Sequence, residues 1–153
     1  MSSTMHTALD AVVTAIATMA TGTGSYTYDL SAPGVVRLGG PVQTAARRSV
    51  RVLDSGFSLG VDGVPLGLVR NDHGCVVEGF IGATAGTEDT RYGEAADLAS
   101  DIVRAIMSYG TPSRTLNGTV TDLLCTGGVL QDEDGRPYAR VLVSWWFRST
   151  TGV

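Results

Sequence analysis

The chain has 153 residues, of which 43% are hydrophobic and 17% charged, a composition typical of one globular domain with its own core. We therefore expect residues 1–153 to form a single domain, which excludes a two-domain nucleotide enzyme and an ordinary (β/α)8 barrel. The formal charge is −4, with eleven arginines and no lysine, and this argues against a general nucleic-acid binder.

The first twenty residues predict an amphipathic helix. Apolar residues recur there at spacings of four and three: Met5, Leu9, Val12, Ile16 and Met19. Gly22 and Gly24 are expected to end the helix. Because it offers only one apolar stripe, it should pack on a sheet. No Lys or Arg precedes the apolar part, and no stretch is long enough to span a bilayer, so we expect a soluble protein made in the cytoplasm, with no membrane partner.

The middle of the chain is rich in glycine and in strand patterns. A short strand is predicted at 35–38, after an irregular segment. Apolar and other residues alternate in 49–53, which places Val50 and Val52 on one side of a predicted strand. The next predicted strand places Phe57, Leu59 and Val61 on one side. Asp62-Gly63 is a hairpin-type turn signal.

A second turn is predicted at Asn71–Gly74, where four turn-forming residues follow one another. The strand after it should place Cys75, Val77, Ile81 and Ala83 on one face and Val76, Glu78 and Phe80 on the other. Thr84–Asp89 reads as a polar loop.

A second helix is predicted at about Thr90–Tyr109, capped by Thr87 or Thr90 and stopped by Gly110 and Pro112. Its apolar stripe consists of Ala95, Leu98, Ile102, Ala105, Ile106 and Tyr109. Its solvent-exposed face is expected to carry Glu94, Asp97, Asp101 and Arg104.

The C-terminal part predicts a hairpin with arms at Thr119–Thr126 and Tyr138–Arg148, joined by the turn segment QDEDGRP. In the last strand one face is wholly apolar and should belong to the core: Ala139, Val141, Val143, Trp145 and Phe147. The opposite face is half apolar, so Trp146 is a candidate contact at a subunit interface. Packing under a loop of the same chain is the alternative.

The order of helix, strands, helix and two strands predicts an α+β fold, with a mainly antiparallel sheet packed against two helices. No constellation within it supports an enzyme. Ser58 lies in a G-x-S-x-G match, but VDGVPLG follows it where a hydrolase needs a helix. The histidines His6 and His73 and the cysteines Cys75 and Cys125 lack metal-ligand spacing, so no metal and no cofactor are expected. Two buried thiols are expected, with a disulfide left open.

Two clusters of charge remain. Arg47, Arg48 and Arg51 form the one basic cluster, either as solvated strand-edge charge or as a contact with an acidic partner or neighbouring subunit. Asp97 and Asp101 lie one turn apart on the second helix, where like charges are mildly unfavourable. A solvated face is the default reading of that pair.

The whole chain resembles the tail terminator proteins of long-tailed bacteriophages, in the neck and tail-completion group. Four passages carry the resemblance: LDAVVTAIATM leading into SYTYDLSAPGVVRLG, the glycine-rich middle ending in CVVEGFIGA, EAADLASDIVRAIMSYG followed by RTLNGTVTDLL, and the closing ARVLVSWWFRST. The resemblance implies a virion protein that forms a homo-oligomeric ring, usually a hexamer, on the head-proximal end of the tail tube. Such a ring stops tube polymerisation and offers the surface that joins the head.

The implied partners are further copies of the chain, the tail tube protein and a head-completion or neck connector protein. DNA would pass through the ring without specific binding, and the charge of −4 suits such a channel because a basic lumen would hold phosphates. Asp97 and Asp101 are then candidate channel-facing residues, and Trp146, Arg47, Arg48 and Arg51 candidate assembly contacts. Three rival readings stay open: another head-closure or tail-completion protein, a small hydrolase that uses Ser58, and a monomeric module that binds a peptide at its sheet edge.

Overall fold

The computed structural model describes residues 4–19, 26–41, 47–60, 66–82, 85–132 and 139–152. In chain order the elements are α1 (Thr4–Ala17), β1 (Val36–Leu38), β2 (Arg48–Gly60), β3 (Leu68–Ile81), α2 (Glu88–Ser108), β4 (Asp122–Asp132) and β5 (Ala139–Gly152). The strands form one sheet in the order β1-β2-β3-β5-β4. All neighbours are antiparallel except β1 and β2, which are parallel. The predicted α+β fold is confirmed.

Both helices pack on one face of the sheet, here called the inner face. Helix α2 contacts β3, β5 and β4, while α1 contacts β1, β2 and α2. The predicted core face of the last strand is confirmed, since all five of its apolar residues are buried. The stripes of the two helices supply the other side of this core, including Val12, Ile16, Leu98 and Ile102. No helix among the described residues is long and apolar enough to cross a bilayer.

Strands β2 and β3 form one long hairpin, where the sequence predicts shorter pieces. The alternation of 49–53 continues through a β-bulge between Asp54 and Gly56, at which Gly56 takes a φ of +111°. The prediction of a turn at Asn71–Gly74 is wrong, because these residues lie inside β3 and pair with β2 on one side and β5 on the other. Two long neighbouring strands outweigh the local preference of these residues for turns.

Several predicted boundaries can be compared with the structure. Helix α2 begins two residues before its predicted start, and the Thr87 hydroxyl accepts a hydrogen bond from the Thr90 backbone N–H at 3.4 Å. The short strand at 35–38 is confirmed as β1, and β4 runs further than predicted, to Asp132. The signals at Gly22, Gly24 and Asp62-Gly63, the side chains of Val61 and Ala83, and most of the QDEDGRP turn lie outside the described residues.

Candidate assembly surfaces

Trp146 lies on the outer face of the sheet, opposite the helices. It stands in register with Gly74 of β3 and Leu124 of β4, and the Arg148 guanidinium carbon is 4.8 Å from the centre of its ring. Its ring is half-buried, whereas Leu124 and Val129 on the same face are each about half exposed. Arg148 packs against the Trp146 ring, and the exposed Leu124 lies beside it on the same face.

A buried carboxylate ties together the arginines of the outer face. Glu78 is almost fully buried and forms ion pairs with Arg51 and with Arg140, the latter at 3.0 Å between Nη1 and Oε1. Arg51 also donates to the Gly40 carbonyl oxygen at 2.8 Å. Arg51 is therefore committed to contacts within its own chain. Because Glu78 is largely removed from water, losing either arginine would leave part of its charge uncompensated and would destabilise the fold.

The other two predicted arginines join the sheet to α2. Arg47 and Arg48 pair with the two carboxylate oxygens of Glu94 at 2.9 and 3.1 Å. Arg48 also lies over the Tyr28 ring, with its guanidinium carbon 3.9 Å from the ring centre. Burial raises the pKa of Tyr28, and the neighbouring carboxylate of Glu94 raises it further. The structure therefore divides the predicted basic cluster between the two faces of the sheet, and on each face the arginines pair with a carboxylate of their own chain.

The two candidate channel-facing aspartates have different surroundings. Asp97 is exposed, but the expectation that Asp101 lies on the solvated face is wrong, since it is buried at 2% exposure. One oxygen of its carboxylate accepts hydrogen bonds from the Thr27 N–H at 2.8 Å and the Tyr28 N–H at 3.0 Å. A carboxylate so enclosed cannot line a channel. The sequence held a signal for this, because position 101 lies three residues after Leu98 and four before Ala105, on the apolar stripe.

The end of the β2–β3 hairpin, residues 54–60 with 68–74, carries apolar side chains that neither α1 nor α2 covers. Phe57 and Leu59 are 58% and 61% exposed, and Leu66 in the adjoining turn is fully exposed. His73, opposite Phe57, is buried and lies edge-on to the Phe147 ring, and its Nε2 is 3.1 Å from Asp54 Oδ1. The Gly56 N–H lowers the pKa of Asp54, with His73 assisting. On the outer side, the Arg148 guanidinium lowers the pKa of Asp72.

A groove of about 510 Å³ opens between α2 and the edge strand β4. Its lining comes from both elements and from β5: Ala99, Ser100, Val103, Arg104, Met107, Cys125, Gly127, Gly128 and Val143. Strand β4 bulges between Cys125 and Gly127 beside the groove, and Gly128, which pairs with the inward-facing Val143, places no side chain on the helix side. Sequence reasoning missed it, although the Gly127-Gly128 pair inside a strand was an available signal.

Within the described part of the chain, the serine, histidine and cysteine candidates for chemistry do not form a common site. Ser58 lies within β2, on the opposite face of the strand from Phe57 and thus from His73, and the next described element along the chain is strand β3. Among the described residues, no three His, Cys, Asp or Glu side chains are grouped as a metal site would need. Both cysteines are free; Cys75 is buried, and burial raises its pKa to about 12, whereas Cys125 is only half-buried.

Comparisons with known proteins add little to this geometry. No protein-family model matches the sequence, and no curated protein matches it. A solved structure described as the virion of a native gene transfer agent particle contains a chain of similar fold. The likeness covers 77% of this chain and 80% of that chain, with 11% identity and a TM-score of 0.49. A likeness this weak carries no argument about function or partners.

Proposed function

We propose that this chain is a structural virion protein of a long-tailed phage or phage-like particle, acting as a tail terminator. Copies of it would form a ring, expected to be a hexamer, on the head-proximal end of the tail tube. The ring would stop growth of the tube and offer the surface that joins the head. The role proposed is structural rather than catalytic, with no cofactor, and the protein would reside in the tail or neck of the virion.

The observation that carries an assembly role is the placement of exposed apolar surface at separate sites of one small fold. The hairpin end presents Phe57 and Leu59, the outer face presents Leu124 and Val129, and the groove is open between α2 and β4. Apolar surface of this kind on a small domain is typical of interaction sites. Two different surfaces on one chain allow head-to-tail contacts between copies. Such contacts close into a ring when the rotation from one copy to the next divides a full turn.

The assignment to tail terminators within that class rests on the order of elements. An N-terminal helix, a short strand, a long hairpin, a second helix and a closing hairpin follow one another, as the four resembling passages suggested. With Asp101 buried, Asp97 is the remaining candidate of the two for facing a DNA channel. Trp146 remains the candidate contact of the outer face, whereas Arg47, Arg48 and Arg51 act first within the chain.

A sheet-edge binding module is the second candidate, because β4 is an edge strand of eleven residues. An exposed edge of that length can accept an added strand from a partner. In that case the protein would remain monomeric beside its assembled partner.

Electron microscopy of lysates from a phage whose copy of this gene is interrupted tests the proposal. Filled heads without tails, together with free tails of abnormal and variable length, are expected if the chain caps tube growth. Free tails of normal length would instead move the role to another neck protein that joins heads to tails. Intact, infectious particles would contradict both and favour the binding module.

A further inference from the structure

One side of the hairpin end exposes two large apolar side chains next to a carboxylate. The side chains of Asp54, Phe57 and Leu59 all lie on the inner side of β2, opposite Cys75, His73 and Asn71 of β3. The two apolar side chains are more than half exposed, and the Asp54 carboxylate is 55% exposed. The protruding surface therefore combines two large apolar groups with one accessible negative charge.

The groove between α2 and β4 complements the hairpin end in polarity and charge, since it combines an apolar lining with an arginine. Most of its lining residues are apolar or small, among them Val103, Met107 and Val143, and the exposed Arg104 also lines it. It is an open groove, and its volume of about 510 Å³ leaves room for apolar side chains of a partner. The described residues that line it include no carboxylate, so an approaching Asp54 would meet a guanidinium rather than a like charge.

The hairpin end cannot fill the groove of its own chain. Strands β3 and β5 lie between β2 and β4 in the sheet, and the groove lies beside β4 at the edge. An occupant of the groove would then come from another molecule, and the hairpin end of a second copy offers two exposed apolar side chains with a carboxylate beside them.

We infer that the hairpin end of one copy, through Phe57 and Leu59, seats in the α2–β4 groove of the next copy, with Asp54 near Arg104. The contact is heterologous, so each added copy leaves one hairpin and one groove open until a ring closes. This inference rests on the proposed ring and names the surfaces that build it. Cys125 lines the groove, so the native chain already carries a thiol at the inferred contact.

The test is a disulfide cross-link between copies. In Leu59→Cys, oxidation by copper phenanthroline should join residue 59 of one copy to Cys125 of the next and produce a ladder of covalent multimers on a non-reducing gel. The two thiols lose their protons and two electrons to the oxidant. Cys75 is buried and should not take part. The matched control, Leu59→Cys with Cys125→Ser, should lose the whole ladder.

Two results would overturn the inference. A covalent dimer that persists in the Cys125→Ser control would mean that hairpin ends meet each other rather than a groove. The second result is the absence of any cross-link. If the protein is oligomeric, the reaction is run at concentrations where it is oligomeric; if it is monomeric, it is run up to the highest attainable concentration. No cross-link under these conditions would mean that the surfaces do not meet.

A second pair of variants avoids reliance on a new cysteine. Leu59→Ser should weaken self-association at least tenfold, whereas Leu38→Ser, which changes another exposed leucine on β1, should not. Equal effects would contradict the inference. If these variants behave alike, the inferred contact is wrong, but the proposed function is tested separately. Tails of abnormal length in lysates of a phage with the interrupted gene would still support it, because that result depends only on capping and not on which surfaces build the cap.

Discussion

The two halves of the β2–β3 hairpin follow the same alternation and have opposite surroundings. At its root, Val50, Val52 and Val77 point to the inner side of the sheet and are completely buried beneath the helices. At its end, Phe57 and Leu59 point to the same side and are mostly exposed. Alternation decides which face a side chain takes, but only a covering element decides whether it is buried. The hairpin end therefore contributes apolar surface that folding of one copy does not use.

The largest effect on stability should come from Asp101, which fixes the segment at Thr27 and Tyr28 beside the covering helix. In Asp101→Ala, two buried backbone N–H groups lose a charged acceptor, so we expect the free energy of unfolding to fall by about 3 kcal/mol in urea titrations. The control is Asp97→Ala, one turn away and exposed, which should change it by less than about 0.5 kcal/mol. Similar losses in both variants would contradict the burial of Asp101.

A truncation at the root and one at the end compare the two halves directly. Val77→Ala removes two fully buried methyl groups and should cost about 2 kcal/mol of unfolding free energy, from lost burial and the cavity left behind. Phe57→Ala removes a larger but exposed side chain and should cost less than about 0.5 kcal/mol. Thermal and urea unfolding of the isolated protein measure both. A loss in Phe57→Ala as large as that in Val77→Ala would mean that the end belongs to the core.

The pH dependence of stability should report on the buried thiol at the junction of the two halves. The pKa of Cys75 rises from 9.0 to about 12 on folding, so the native state keeps its proton where the unfolded chain has lost it. Its contribution is fully present below pH 9 and is lost as the pH rises towards 12. At pH 10 the loss relative to pH 7 is about 1.4 kcal/mol.

Urea titrations of the natural chain and of Cys75→Ala at both pH values isolate this contribution. The natural chain should lose about 1.4 kcal/mol more than the variant between pH 7 and pH 10. Equal losses would show that Cys75 is accessible to water in the native state.

The smallest effect should come from the ion pairs that hold α2 to the start of β2. Glu94→Gln leaves Arg47 and Arg48 without their carboxylate, and because both arginines keep contact with water the cost should be only about 1 kcal/mol. The cost should shrink in 1 M NaCl, where screening is strong. Asp10→Asn, in an exposed pair with His6, is the control and should change stability by less than about 0.3 kcal/mol. A cost for Glu94→Gln that salt does not reduce would point to packing rather than charge.

Much of the covered region could be predicted from sequence, because its patterns are periodic. The stripes of both helices and the apolar face of Ala139–Phe147 follow periods that burial itself imposes. The interior of β3 was missed at Asn71–Gly74, since local turn preference does not reveal that β2 and β5 lie on both sides. Pairing between distant segments is a property of the whole sheet.

The contacts of the candidate site residues also depend on segments that are distant in sequence. Arg47, Arg48 and Arg51 are close in sequence, but the structure divides them between the two faces of the sheet. Their partners, Glu94 and Glu78, are far away in sequence. The burial of Asp101 depends on the path of the segment at residues 27–28, which no periodicity describes. The groove lies beside a bulge in β4, and the only trace of that bulge in the sequence is the glycine pair at Gly127 and Gly128.

The most direct test of the claim that the uncovered hairpin end serves self-assembly is the mass of the assembled protein. Native mass spectrometry of the natural chain should show one closed species at a whole multiple of 15.9 kDa, with a hexamer expected from the resemblance. The double variant Phe57→Ser, Leu59→Ser should remain folded and appear as a monomer. A natural chain that is monomeric at every concentration, or a double variant with unchanged mass, would contradict the claim.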